Sequence, residues 1–465
     1  MAVLTKYILM YPLDEEHSLA INSLTSAMDI IDQETRSKIE DMQSGIKNIE
    51  SNEDEELYQQ LMSRGYLFEN AQMEKDTINR YKLVHQELAK RKIITNFTIC
   101  PTMGCNLRCT YCFESDDQHI NYNLMTDTQL DTIFKYISET LENSKEERIR
   151  LKGDTPATIN VFGGEPLLKT NYPVISRILK FAEANGILVK IITNATTIQP
   201  YLGLFERYVK LLHLQITVDG NKEIHDVRRI RADGSGSFDQ ICRNINRVLD
   251  LGIKVALRIN VDKSNIKSLR ELEAVIKSNQ WDQNPLFYPY ASPVLDFCGV
   301  GEDILTEHEL LDTLLSERLY GNEEGFIKGI VSPSIGFLSF FFDSKNQMKP
   351  WKLDYCEATS GSNFGFSPDG NITTCLTYAG KGKHTIGTFD ENGVRLNEED
   401  TAKWFDRSVF RLEKCQDCKY AFLCGGGCAV AAIERNQDMD DVVCSDIAST
   451  IEKYVFHIKR TILNQ

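Results

Sequence analysis

The chain has 465 residues, 42% hydrophobic and 26% charged, a globular composition long enough for several domains. Its 67 acidic and 52 basic side chains leave a net charge of −15, which argues against nucleic acid, since that binding rests on Lys and Arg neutralising phosphates. No apolar run is long enough to span a bilayer, and Met1-Ala-Val-Leu-Thr-Lys lacks the parts of a signal peptide, so a cytoplasmic chain with no membrane partner is expected.

Residues 1–95 hold no cysteine. Tyr7-Ile-Leu-Met-Tyr-Pro, Ser18-Leu-Ala-Ile-Asn and Met28-Asp-Ile-Ile read as short strands, broken at Asp14-Glu-Glu and Asn22-Ser-Leu-Thr-Ser. Asp32 is a candidate N-cap with Glu34 and Thr35 opening a helix. A second helix is expected near Glu55–Met62, ending at Arg64-Gly65. Tyr66-Leu-Phe follows as a strand, then an amphipathic stretch from Asp76 to Lys92.

From 96 to 290 short apolar runs alternate with longer amphipathic ones, the pattern of βα units on a parallel sheet. The expected strands are Phe97–Cys100, Thr158–Phe162, Leu188–Thr193, Leu211–Val218, Lys254–Val261 and Leu286–Tyr290. Helices are expected between them, at Asp127–Leu141, Tyr172–Ala184, Phe238–Leu251 and Ile266–Ser278. In parallel barrels the chemistry sits on loops at the carboxyl ends of strands. Cys105, Cys109 and Cys112 follow the first strand as a CxxxCxxC run. Three close thiols can hold three irons of a [4Fe–4S] cube and leave the fourth open; zinc or disulfides are the alternatives. Gly163-Gly164-Glu165-Pro ends the second strand, where glycines let backbone approach a ligand closely. Thr193-Asn194 ends the third. Thr217-Val-Asp219-Gly ends the fourth, followed by His225-Asp-Val-Arg-Arg229 and Asp233-Gly-Ser-Gly-Ser-Phe238-Asp.

Residues 291–350 read as a bridge, with a helix at Thr306–Leu319 and an apolar core segment at Ile335–Phe342. From Cys356 the thiols return: Gly370-Asn-Ile-Thr-Thr-Cys375, then Cys415, Cys418, Cys424, Cys428 and Cys444. A pair of zinc knuckles would also use such CxxC spacing. Thirteen cysteines in a reducing compartment argue for metal or catalysis over disulfides. Of the three outside both sets, Cys100 and Cys242 read as core thiols, and Cys298, in a Gly-rich loop, is the one candidate for an extra ligand.

These motifs, in this order, resemble the radical S-adenosylmethionine (SAM) superfamily, and the seven late cysteines resemble its SPASM extension. The resemblance implies an α/β fold: a partial (β/α)₆ barrel over 96–290, the bridge at 291–350 and a SPASM domain over 351–465. Residues 1–95 resemble the winged-helix-like domain that binds a leader peptide as an added strand. It further implies that Cys105, Cys109 and Cys112 hold a cluster whose open iron chelates SAM. Gly163, Gly164, Glu165, Asn194, Thr217 and Asp219 would line the SAM region, with Arg229, rather than Arg228 or Arg231, pairing with the SAM carboxylate. Cys415, Cys418, Cys424 and Cys444 would ligate a second cluster, and Cys356, Cys375 and Cys428 a third, for three [4Fe–4S] clusters in all.

The activity implied is that of an oxidoreductase. SAM is cleaved reductively to a 5′-deoxyadenosyl radical, which takes a hydrogen from a ribosomally made precursor peptide and leads to a Cys-sulfur-to-carbon thioether, of sactipeptide or ranthipeptide type. The partners implied are that peptide, held by its leader, and an electron donor such as flavodoxin or ferredoxin. Carbon–carbon or carbon–oxygen crosslinking and anaerobic sulfatase-type maturation are alternatives; against the last, Leu376-Thr377 follows Cys375 where those maturases carry an Asp. A non-enzymatic iron–sulfur electron-transfer protein would explain the cysteines but not GGEP or the HDxxR block. No catalytic acid or base stands out.

Overall fold

The computed structural model describes residues 2–46, 54–91, 93–120, 122–153, 155–295, 301–321, 325–342 and 351–463. Cys298 lies outside them. In the N-terminal region β1 (Val3–Leu4) precedes β2 (Ile8–Pro12), β3 (His17–Asn22) and β4 (Ala27–Asp32), which form an antiparallel sheet in that order. Its turns are built by side chains. Asp14 Oδ1 accepts from the amides of Glu16 and His17, and Asn22 Oδ1 from those of Leu24 and Thr25. Asp32 caps the helix Gln33–Gln43 by accepting from Thr35 N, and Asp54 caps Glu55–Ser63 in the same way. β5 (Leu67–Phe68) pairs with β1, and a long helix, Ala71–Arg91, follows.

Six parallel strands come next: β6 (Asn96–Ile99), β8 (Thr158–Val161), β9 (Leu188–Thr193), β10 (Leu212–Thr217), β12 (Lys254–Val261) and β13 (Phe287–Pro293). Two short strands, β7 (Leu107–Cys109) and β11 (Arg229–Arg231), lie in the connections. Helices Asp127–Asn143, Tyr172–Ala184, Phe238–Asp250 and Leu269–Ser278 bury one apolar stripe each against the sheet, through residues such as Ile133, Ile178, Ile245 and Leu272.

The sheet does not stop at these six. β14 (Gly329–Ile330), from the region read as a bridge, adds beside β13. On the other side β15 (Asn363–Phe366) pairs in parallel with β6, Phe364 opposite Phe97, and leads into β16 (Asn371–Thr373), β17 (Gly387–Asp390) and β18 (Gly393–Leu396). One eleven-stranded sheet thus runs from the parallel strands into the cysteine-rich region. Thr98 Oγ1 donates to Asn363 Oδ1 (3.0 Å) in the buried seam between them.

The N-terminal region packs against that same cysteine-rich region. Tyr7, Leu24 and Phe68 share a buried cluster with Val409, Leu412, Cys415 and Phe422. Polar ties surround it: Ser23 Oγ donates to Lys419 O (2.6 Å), Trp351 Nε1 to Leu24 O (2.8 Å), and Lys6 pairs with Asp417 (2.7 Å).

Candidate active site

β6 ends in the loop that carries Cys105, Cys109 and Cys112, and all three thiols line one cavity of about 680 Å³. Its walls come from the inner faces of β6, β8, β9, β10, β12 and β13, so the sheet curls around it. The glycines of the GGEP segment serve the loop directly. A Cβ on Gly163 would sit 2.1 Å from Thr102 O, and one on Gly164 2.3 Å from Met103 O. Gly164 N and Glu165 N donate to Thr102 O (3.2 Å) and Gly104 O (2.8 Å). Both glycines also line the cavity, so the close approach serves the cysteine loop on one side and an occupant on the other.

Glu165 is fully buried behind this wall. Its carboxylate accepts from Leu167 N (2.8 Å), Thr193 Oγ1 (2.6 Å) and Asn194 N (2.7 Å). Burial raises its pKa and these bonds oppose the rise. It therefore joins the end of β8 to that of β9. Asn194 lines the cavity, and its Nδ2 donates to Asn106 Oδ1 (2.9 Å), tying β9 to the cysteine loop.

Tyr111, inside the CxxxCxxC run, is a hub that the sequence reading did not assign. Its hydroxyl donates to Asp219 Oδ2 and accepts from Arg229 Nη1 (2.6 Å) and Asn260 Nδ2 (3.1 Å). Arg229 and Thr217 line the cavity; Asp219 is fully buried behind Tyr111. The three neighbouring arginines separate cleanly. Arg228 is paired with Asp262 (2.8 Å), Arg231 with Gln240 and Gly236 O, and Arg229 alone of the three lines the cavity. The reason is a short ladder: β11 pairs antiparallel with β7, placing Arg229 opposite Cys109 and Arg231 opposite Leu107. The preceding His-Asp pair is structural. Burial, reinforced by the two arginines, holds His225 well below its usual pKa, and its Nε2 faces Ser237 Oγ (3.0 Å). Asp226 Oδ1 accepts from Ser237 N and Phe238 N at the start of the next helix.

Among the described residues the donor set fits an iron–sulfur cluster and SAM. A single tetrahedral ion bound through sulfur at about 2.3 Å needs its ligand atoms roughly 3.8 Å apart. Cys105, Cys109 and Cys112 do not gather within 4.8 Å of one another, as thiolates on separate irons need not. Burial pushes the Cys112 thiol up to about 12, with Glu114 adding to the rise. Burial also raises Cys109, while Arg229 pulls it back toward the thiolate a cluster requires. Among the described residues Arg229 Nε is buried with no hydrogen-bond partner, a donor suited to a carboxylate such as that of SAM. Glu114 and His119 were also missed by the sequence reading. They stand with Cys112 within 4.8 Å, and His119 Nε2 lies 3.6 Å from Cys112 Sγ.

The late cysteines fall into two neighbourhoods. Burial first, then Cys356 and nearby Cys428, lift Cys375 to about 12; burial first, then Cys424, Cys418 and Cys444, lift Cys415 to about 12. Cys375, with Leu376 and Thr377, lines the same cavity as Cys105, Cys109 and Cys112. Cys100 is buried against Met103 and Ala379, and Cys242 lies against the main core.

Comparison with known proteins follows this geometry. The radical SAM superfamily model matches residues 99–274. The cysteine-type anaerobic sulfatase-maturating enzyme of Clostridium novyi (strain NT) is 24% identical over 375 residues, 76% of this chain and 92% of that one. Among solved structures, anSMEcpe with bound AdoMet superposes with a TM-score of 0.58 at 17% identity, over 79% of this chain and 94% of that one. Streptococcus suis SuiB bound to its precursor peptide SuiA gives 0.53 at 15%, over 96% and 99%. A cysteine loop, glycine cradle and strand-end polar residues thus converge on one cavity built largely from residues 99–274, the stretch that matches the radical SAM superfamily model.

Proposed function

We propose that this radical SAM enzyme modifies a ribosomally made precursor peptide by joining a Cys sulfur to a carbon of another residue. The observation that carries the reading is the shared cavity, faced by Cys105, Cys109 and Cys112 and by Cys375. Cys105, Cys109 and Cys112 would hold the first [4Fe–4S] cluster. Cys415, Cys418, Cys424 and Cys444 would hold a second, and Cys356, Cys375 and Cys428 a third with a position left for a substrate thiolate. When bound, the reduced first cluster and SAM supply a carbon-centred radical able to take a hydrogen atom. The chain's own residues do the rest. Arg229, held by Tyr111, takes the SAM carboxylate; the Gly163–Gly164 backbone and Asn194 position its amine end; the surrounding strands exclude water.

Residues 1–95 would bind the leader on the open edge of β4, where Ile30 is exposed. SuiB, solved with a precursor peptide, matches 96% of this chain, against 79% for anSMEcpe, so the likeness reaches into this region. Sulfatase-type maturation has the similarity to the Clostridium novyi enzyme in its favour and the Leu376-Thr377 departure against it. An electron donor such as flavodoxin or ferredoxin would be required.

Anaerobic reconstitution, dithionite reduction and SAM should yield 5′-deoxyadenosine from the wild type, with at least a hundredfold less from Cys105→Ala. Equal yields would sink the assignment. Co-expression with a short Cys-containing precursor encoded nearby, followed by mass spectrometry, should reveal the loss of two hydrogens per link.

A further inference from the structure

Two further cations, besides Arg229, line the cavity. Lys190 projects from β9 and Arg258 from β12, and both line the wall. The register places Lys190 beside Asn160, and Asn160 beside Thr98, one layer of inward polar residues. Lys190 stands three residues before Thr193, so roughly 10 Å of strand separates it from the strand end that meets the cysteine loop. Arg258 is tied down, Nε to Asn260 Oδ1 (2.7 Å) and Nη2 to Ser292 Oγ (2.9 Å). Among the described residues Lys190 Nζ has no hydrogen-bond acceptor. Burial and the like charge of Arg258 lower its pKa, and Glu357, whose carboxylate already accepts from Asn96 Nδ2 (3.4 Å), opposes them.

An ammonium in a walled cavity beside a second cation, with Glu357 as the nearby carboxylate, is further stabilised by an anion that enters the cavity. The SAM carboxylate has Arg229 at the cysteine end. We propose that the substrate segment entering the cavity carries a carboxylate side chain, received by Lys190 with Arg258 behind it. This rests on the peptide reading. It makes the modified segment acidic near the reacting residue, with Tyr288 and Tyr290 packing its stem.

The test uses the full chain, reconstituted anaerobically and supplied with SAM. Calorimetric titration compares two synthetic Gly/Ser decapeptides with a central Cys and one neighbouring Glu or Gln. The wild type should bind the Glu peptide at least about tenfold more tightly, the scale of a hydrogen bond to a charged group. Lys190→Met should erase that ratio and Lys190→Arg keep it, with iron content per chain reporting that both variants are folded. Equal affinity of the wild type for the two peptides, or a ratio that survives in Lys190→Met, overturns the proposal. Free glutarate and its monoamide are titrated alongside. A Lys190-dependent preference for glutarate with neither peptide bound supports the carboxylate site and overturns its occupation by a peptide segment without a leader; no binding of any acidic probe overturns the carboxylate site.

Discussion

Tyr111 shows how one side chain can decide the geometry of a site. One hydroxyl satisfies Asp219, Arg229 and Asn260 at once, all three of them buried residues. Tyr111→Phe leaves the buried Asp219 carboxylate and the Arg229 guanidinium each short of a partner. A stability loss of about 1–3 kcal/mol is expected, read as a lower denaturant midpoint of the cluster-free chain. SAM affinity of the reconstituted chain should fall as well, because Arg229 loses the contact that aims it. An unchanged midpoint would mean that water or a rotamer change replaces the hydroxyl. The tyrosine was visible in the sequence but gave no signal of its role, since its three partners lie 108, 118 and 149 residues away.

At the scale of elements, the β7–β11 ladder links two motifs that are far apart in sequence. Thr110 N donates to Arg228 O (3.0 Å) and Ala232 N to Asn106 O (3.0 Å), so the arginine strand clamps both ends of the cysteine run. Ala232→Pro removes that second donor. On the three-cluster proposal, the expected result is a loss of about one cluster's iron per chain, with the signal of the two clusters proposed at the late cysteines retained in electron paramagnetic resonance. Full occupancy in the variant would show that the loop does not depend on the ladder. The main strands and helices were readable from alternation and amphipathic spacing, and most bounds agree within a residue or two. β7 and β11 are three residues each, too short for any periodicity to mark.

For the whole molecule, the N-terminal region and the late cysteines form one packed unit. Phe422 stacks edge-on to Tyr7 at 5.3 Å within the cluster that also buries Cys415. Phe422→Ala should cost about 3–5 kcal/mol locally. Limited proteolysis should then cut between residues 1–95 and the rest faster than in the wild type, with iron lost from the cluster proposed at Cys415. Unaltered cleavage would mean that the polar ties of Ser23, Trp351 and Lys6 suffice. The contact links the N-terminal region directly to the neighbourhood of Cys415.

The sequence by itself determined the candidate ligands and the main strands and helices before the late cysteines. Thiol spacing, GGEP and the strand-end hydroxyl and carboxylate residues are local patterns, and local patterns survive without a fold. The tertiary structure decided which of those residues face the cavity. Gly163, Gly164, Asn194, Thr217 and Arg229 line it, whereas Glu165 and Asp219 are buried behind the wall as carboxylate supports. It also decided that β15 joins the parallel sheet and that Cys375 meets Cys105, Cys109 and Cys112 in one cavity. Both outcomes depend on pairings between segments more than 250 residues apart, which satisfy buried backbone and polar groups only once the sheet has closed around them.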